Sequence, residues 1–141
     1  MRQIAPHSLW LGHVGDVRDP RKVLDAGIVA VVDLASNEPM PILPRDLIYC
    51  RIPLVDGPGN QASLLRFAVR TTARLLHDRT PTLVYCSAGM SRSPAVAAAA
   101  LALALGQTPL TCLELVAEGR PHDASPGLWQ DIVGACFPPS A

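Results

Sequence analysis

Cys86 and Arg92 lie six positions apart in the segment Val84-Tyr85-Cys86-Ser87-Ala88-Gly89-Met90-Ser91-Arg92-Ser93-Pro94. An ionised thiol is a strong nucleophile, and a guanidinium can grip two oxygens of a tetrahedral anion through parallel hydrogen bonds that lysine cannot make. The segment reads as the end of a buried strand followed by the start of a helix, and ligands of open α/β sheets bind outside the carboxyl ends of strands. Free loop N–H groups and the positive end of the helix dipole favour an anion there, and with it the thiolate of Cys86. Gly89 allows backbone geometry that most residues resist. The Ser93 hydroxyl can donate to the sulfur and stabilise it as a leaving group. Cys86 is therefore the expected nucleophile. The amides of Ser87, Ala88, Gly89, Met90, Ser91 and Arg92 form the expected anion cradle, and Arg92 is its clamp.

The elements that must hold this segment are readable around it. Ser8 to Leu11 suggests a first strand, and Pro20 to Ala26 a short helix stopped by Gly27. The run Ile28 to Leu34 is mostly β-branched and reads as a strand buried on both faces. A loop with Pro39, Pro41 and Pro44 follows, then a strand over Leu47 to Leu54 and the loop Asp56-Gly57-Pro58-Gly59-Asn60. Apolar residues between Gln61 and Asp78 recur with helical, one-sided spacing. Thr82 to Tyr85 is a further buried strand. Ser93-Pro94, Thr108-Pro109 and Ser125-Pro126 each place a capping hydroxyl before a proline suited to a first helical turn. Strands alternating with helices predict an α/β fold, a mostly parallel central sheet flanked by helices, in one domain over residues 1–141.

Composition narrows the function. The 141 residues are 49 % hydrophobic and 17 % charged, with twelve basic residues balancing twelve acidic ones. That balance removes the broad positive field expected of a nucleic-acid or anionic-membrane binder. The longest apolar run, Ala95 to Leu105, is shorter than the roughly 18 residues of a membrane span. No signal-peptide core is readable, so a cytoplasmic location is expected. Cys50, Cys86, Cys112 and Cys136 show neither zinc spacing nor a disulfide framework, and no metal or cofactor is expected. His7, His13, His77 and His122 share no metal spacing and suit surface or capping positions. The nucleotide-binding pattern Gly-x4-Gly-Lys-Ser/Thr is absent.

The Cys-x5-Arg-Ser segment resembles the signature loop of the protein tyrosine phosphatase superfamily, and the whole chain resembles a small dual-specificity phosphatase. The likeness runs through Ile4 to Gly12, Gly27 to Leu34, Asp56, the signature, Arg120 and Ser125 to Leu128. It implies the cysteine-phosphatase fold, a phosphorylated protein as substrate, and phosphate, sulfate or vanadate as pocket ligands. It also implies an aspartic acid from a mobile upstream loop that protonates the leaving oxygen. Asp56 fits that role, because it precedes Cys86 by 86 − 56 = 30 residues and follows a strand end. Gly57 and Gly59 would give it hinge-like freedom. Tyr85 replaces the histidine usual before the cysteine, and the Ser125 region lacks the usual Pro-Asn pair. Those departures imply weaker activity and leave open a catalytically weak or inactive phosphate-binding module. Low-molecular-weight phosphatases place their cysteine near the N-terminus, which excludes them. Cys50, on the strand leading to Asp56, is either a small core residue or a redox partner of Cys86. Cys112, Cys136 and Trp10 are expected in the core, Trp129 in the core or at the pocket edge, and His122 at the surface unless the 120 to 127 turn folds over the pocket and brings it to the border.

Overall fold

The computed structural model describes residues 1–118 and 123–139. Its strands are β1 (Arg2–Gln3), β2 (Leu9–His13), β3 (Ala30–Ala35), β4 (Ile48–Leu54) and β5 (Thr82–Cys86), arranged in one sheet in the order β1-β2-β5-β3-β4. β1 runs antiparallel to β2, and all other neighbours are parallel. The helices are α1 (Val14–Val17), α2 (Pro20–Asp25), α3 (Ala62–His77), α4 (Arg92–Leu105), α5 (Pro109–Ala117) and α6 (Pro126–Cys136). This is the mostly parallel, helix-flanked α/β architecture that the sequence predicts. β1 and α1 are additions, too short to leave a periodic signal. No helix among the described residues is long and apolar enough to cross a membrane.

Strand alternation divides the interior in two. Val32 and Leu34 of β3, with Val84 and Cys86 of β5, face the larger core beneath α3, α4, α5 and α6. Val31 and Ala35, with Leu83 and Tyr85, face a smaller core completed by Val17, Val23 and Ile28. Cys86 and Tyr85 therefore point to opposite faces of one strand. In α4 every residue from Arg92 to Ala102 is buried, so this part of the helix is enclosed on all sides, and only its last turn reaches solvent. The helix ends at Gly106, whose φ of 67° needs a residue free of a Cβ.

Three details differ from the sequence reading. α4 begins two residues earlier than the Ser93-Pro94 capping pattern suggests. Ser91 occupies the cap position and Ser93 lies inside the first turn. Thr108 caps α5 with its side chain, whereas Ser125 holds the cap position of α6 without a side-chain hydrogen bond. Cys50 stands level with Val32 of β3, which stands level with Val84 of β5. Two strand spacings of about 5 Å each separate Cys50 from β5, beyond the roughly 7 Å that a disulfide spans. A Cys50–Cys86 bridge does not fit this sheet, and Cys50 packs against the larger core.

Candidate active site

β5 delivers Cys86 to the carboxyl end of the sheet, and α4 begins at Arg92. The Cys86 sulfur lies at the base of the connecting loop, 3.3 Å from the Ser93 hydroxyl and 3.4 Å from the Ser93 amide, which donates to it. These partners come from the first turn of α4, where free N–H groups favour negative charge. Burial leaves the residue 2 % exposed, yet the sulfur meets polar groups on its loop side.

The Arg92 side chain turns inward and is 6 % exposed. Its Nη1 donates to the carbonyls of Leu54 (3.0 Å) and Leu34 (3.5 Å), at the ends of β4 and β3, and to Asn37 Oδ1 (3.0 Å). Its Nη2 donates to Ser87 Oγ at 3.1 Å, and Ser87 Oγ in turn donates to Asn37 Oδ1 at 2.9 Å. Buried arginines require such pairing, because an unpaired guanidinium away from water is costly. One nitrogen thus fixes the head group to the sheet ends while the other faces the loop.

The loop is backed closely by the β2–α1 turn. Ser87 O accepts from Val14 N at 3.2 Å. A Cβ on Gly89 would lie 2.8 Å from the Gly12 carbonyl, and its φ is 74°. Only glycine meets both conditions without strain. Ala88 and Met90 are exposed at the rim, and Ser91 is buried. Met90 O accepts from Asp123 N at 2.7 Å, bringing the segment before α6 to the same rim.

Asp56 reaches this rim from the end of β4. Its Oδ1 accepts from the Ser91 hydroxyl at 2.6 Å. Contacts from two sides brace the Asp56 loop in this conformation. Asn60 closes it on itself through Val55 N (2.9 Å) and Val55 O (2.8 Å). Gly59 N donates to Asp131 Oδ2 of α6 at 3.1 Å. Pro58 packs so tightly on Gly127 that a Cβ there would lie 2.9 Å from its ring.

The chain is 29 % identical to human dual specificity phosphatase 28 over 134 residues, which span 92 % of this chain and 74 % of the relative. Its fold matches the crystal structure of human DUSP28 with a TM-score of 0.83 at 26 % identity, covering 96 % of this chain and 94 % of that one. The structure of a mouse putative dual specificity phosphatase complexed with zinc tungstate matches at TM-score 0.82 and 26 % identity, covering 95 % and 84 % of the two chains. No family model matches the sequence. These likenesses support the dual-specificity phosphatase family.

The loop Cys86 to Arg92 matches the Cys-x5-Arg pattern of that family, and the departure from it at Tyr85 has a structural setting. The Tyr85 ring is buried on the face of β5 opposite the sulfur. Burial and then hydrogen bonding to the Asp33 carboxylate push its phenol far above the ordinary range. Tyr49 donates to Asp33 Oδ2 at 2.5 Å, and the other Asp33 oxygen accepts from Ala35 N at 2.9 Å. Tyr85 thus belongs to a buried polar cluster behind the Cys86 to Arg92 loop, on the face of β5 opposite the thiol.

The structure brings Cys86, Ser87, Ser91, Arg92, Ser93 and Asp56 to one end of the sheet. His13 caps α1, accepting from Gly15 N at 3.0 Å. Trp10 packs half-buried on the smaller core and Trp129 on the larger. Cys112 is fully buried, and Cys136 is half-buried against the larger core. Arg120 and His122 lie outside the described residues. Asn37 and Asp131 are the site-building residues that sequence reasoning missed. Asn37 sits in a Pro-rich loop with no motif of its own, and its proximity to Arg92 exists only after folding.

Proposed function

We propose that this chain is a cysteine-dependent protein phosphatase that hydrolyses phosphomonoesters of tyrosine, serine or threonine through a cysteinyl-phosphate intermediate. One observation carries the reading: the Cys86 sulfur rests against Ser93 while the Arg92 guanidinium turns inward to the same loop. In the first step the Cys86 thiolate attacks phosphorus, the phosphorus–oxygen ester bond breaks, and Asp56 gives its proton to the leaving oxygen. The loop amides of Ser87 to Arg92 and the Arg92 fork carry the charge of the equatorial oxygens. In the second step water attacks phosphorus, the sulfur–phosphorus bond breaks, Asp56 takes the water proton, and Ser93 assists departure of the thiolate. Inorganic phosphate leaves. A relative crystallised with tungstate, a tetrahedral oxyanion like phosphate, supports the choice of pocket ligand.

The exposed rim residues Ala88 and Met90 carry no charge, which favours a phosphoprotein over more highly charged phosphate esters. Four free thiols suit a reducing compartment and support a cytoplasmic location. We take residues 1–141 as one phosphatase domain.

The test is release of phosphate from para-nitrophenyl phosphate, its inhibition by vanadate, and its dependence on Cys86. Cys86→Ser is expected to lower kcat/KM by about a thousandfold or more. Tyr85 in place of histidine favours the second reading, a phosphate-binding module. Vanadate binding without turnover by the parent chain would establish that module and overturn the enzyme.

A further inference from the structure

Ser91 belongs to the loop, but its side chain faces away from Arg92 and joins two other segments. Its Oγ accepts from the Ser125 amide at 2.9 Å and donates to Asp56 Oδ1 at 2.6 Å. An amide N–H can only donate, so it occupies a hydroxyl lone pair and leaves the serine proton for Asp56. The direction of the bond is therefore set by geometry. Its length suits a hydroxyl donating to a carboxyl oxygen.

Asp56 itself is exposed, and an exposed carboxyl group samples several rotamers. Ser91 is 7 % exposed and held by the chain entering α6, so it is a fixed post. The bracing of the Asp56 loop by Asn60, Asp131 and Gly127 places the backbone. The Ser91 hydroxyl reaches the carboxyl group and orients it. With Oδ1 engaged as an acceptor, Oδ2 is the oxygen left to carry or receive a proton.

We infer that Ser91 is a positioning residue that presents Asp56 Oδ2 to the leaving oxygen and then to water, coupling the acid to the segment that opens α6. This rests on the phosphatase reading above and assigns the Ser91 side chain a task separate from its amide. Proton donation matters most for esters with poor leaving groups, which gives the idea a signature that simple loosening of the fold lacks.

The experiment measures kcat/KM for para-nitrophenyl phosphate and phenyl phosphate in the parent chain, Ser91→Ala, Asp56→Asn and the double variant. Ser91→Ala is expected to lose about tenfold more activity on phenyl phosphate than on para-nitrophenyl phosphate. In the Asp56→Asn background the same change is expected to add no further loss, because the two residues act as one unit. Vanadate inhibition within about twofold of the parent would mark an intact cradle. Ser91→Thr, which keeps the hydroxyl, is expected to restore the parent ratio between the esters. If the alanine variant does not fold, Ser91→Cys, similar in size but a poor donor, is expected to show the same ester-dependent loss. Equal losses on both esters, or a full additional loss in Asp56→Asn, would overturn the role while leaving the phosphatase intact. A parent chain with no turnover overturns both.

Discussion

At the scale of single residues, the site depends on how a buried guanidinium is held before any anion arrives. Arg92 spends one nitrogen on the sheet-end carbonyls and on Asn37, and Asn37 also receives the Ser87 hydroxyl. Asn37 is exposed, so its truncation disturbs little of the core. It does release both donors at once. Hydrogen bonds to charged groups contribute about 1.5–3 kcal/mol each, so Asn37→Ala is expected to weaken vanadate inhibition by about tenfold. Unfolding in urea should change little. Unaltered vanadate affinity would show that the strand-end carbonyls suffice to orient Arg92. Nothing in the sequence announces Asn37, because it stands 55 positions from the arginine it touches.

At the scale of elements, the junction between the Asp56 loop and α6 controls where the acid sits. Pro58 and Gly127 leave no room for a Cβ, and Asp131 receives the Gly59 amide. Gly127→Ala must push the loop outward. Phenyl phosphate hydrolysis is expected to fall about tenfold, since small misplacements of a catalytic group are costly, while vanadate affinity stays near the parent value. Comparison of the two measurements separates displacement of the acid from damage to the cradle. The strands, the amphipathic α3 and the buried α4 were legible because each is a continuous run with its own period. The clasp was not, because it joins Gly59 to Asp131 across 72 positions. Ser93 reads both as a cap, from its place before Pro94, and as a partner of the Cys86 sulfur; the contact with the sulfur seven positions back is present, while Ser91 holds the cap position.

At the scale of the whole molecule, one buried carboxylate ties the smaller core together. Asp16 accepts from Lys22 (2.6 Å), the amino terminus (3.1 Å) and the His13 amide (2.9 Å). Burial alone would raise its pKa, but these donors outweigh that effect and lower it to about 2. A carboxylate with a depressed folded-state pKa adds stability that is complete above its unfolded value near 4 and is lost as pH falls through about 2. The contribution is about 2 kcal/mol. Asp16→Asn is expected to lower the urea midpoint at neutral pH, and to lose less than the parent on acidification through that window. An identical acid response in both proteins would assign the effect to other carboxylates.

The enclosure of α4 has a consequence for change over time. Its flank is built mainly of methyl groups, and these have no alternative rotamers with which to absorb a larger neighbour. A shaft packed that way can neither slide nor rotate, so the signature loop at its head inherits a fixed axis. Diversification of this scaffold is therefore confined to its periphery, where Met40, Ile42 and Met90 stand in solvent.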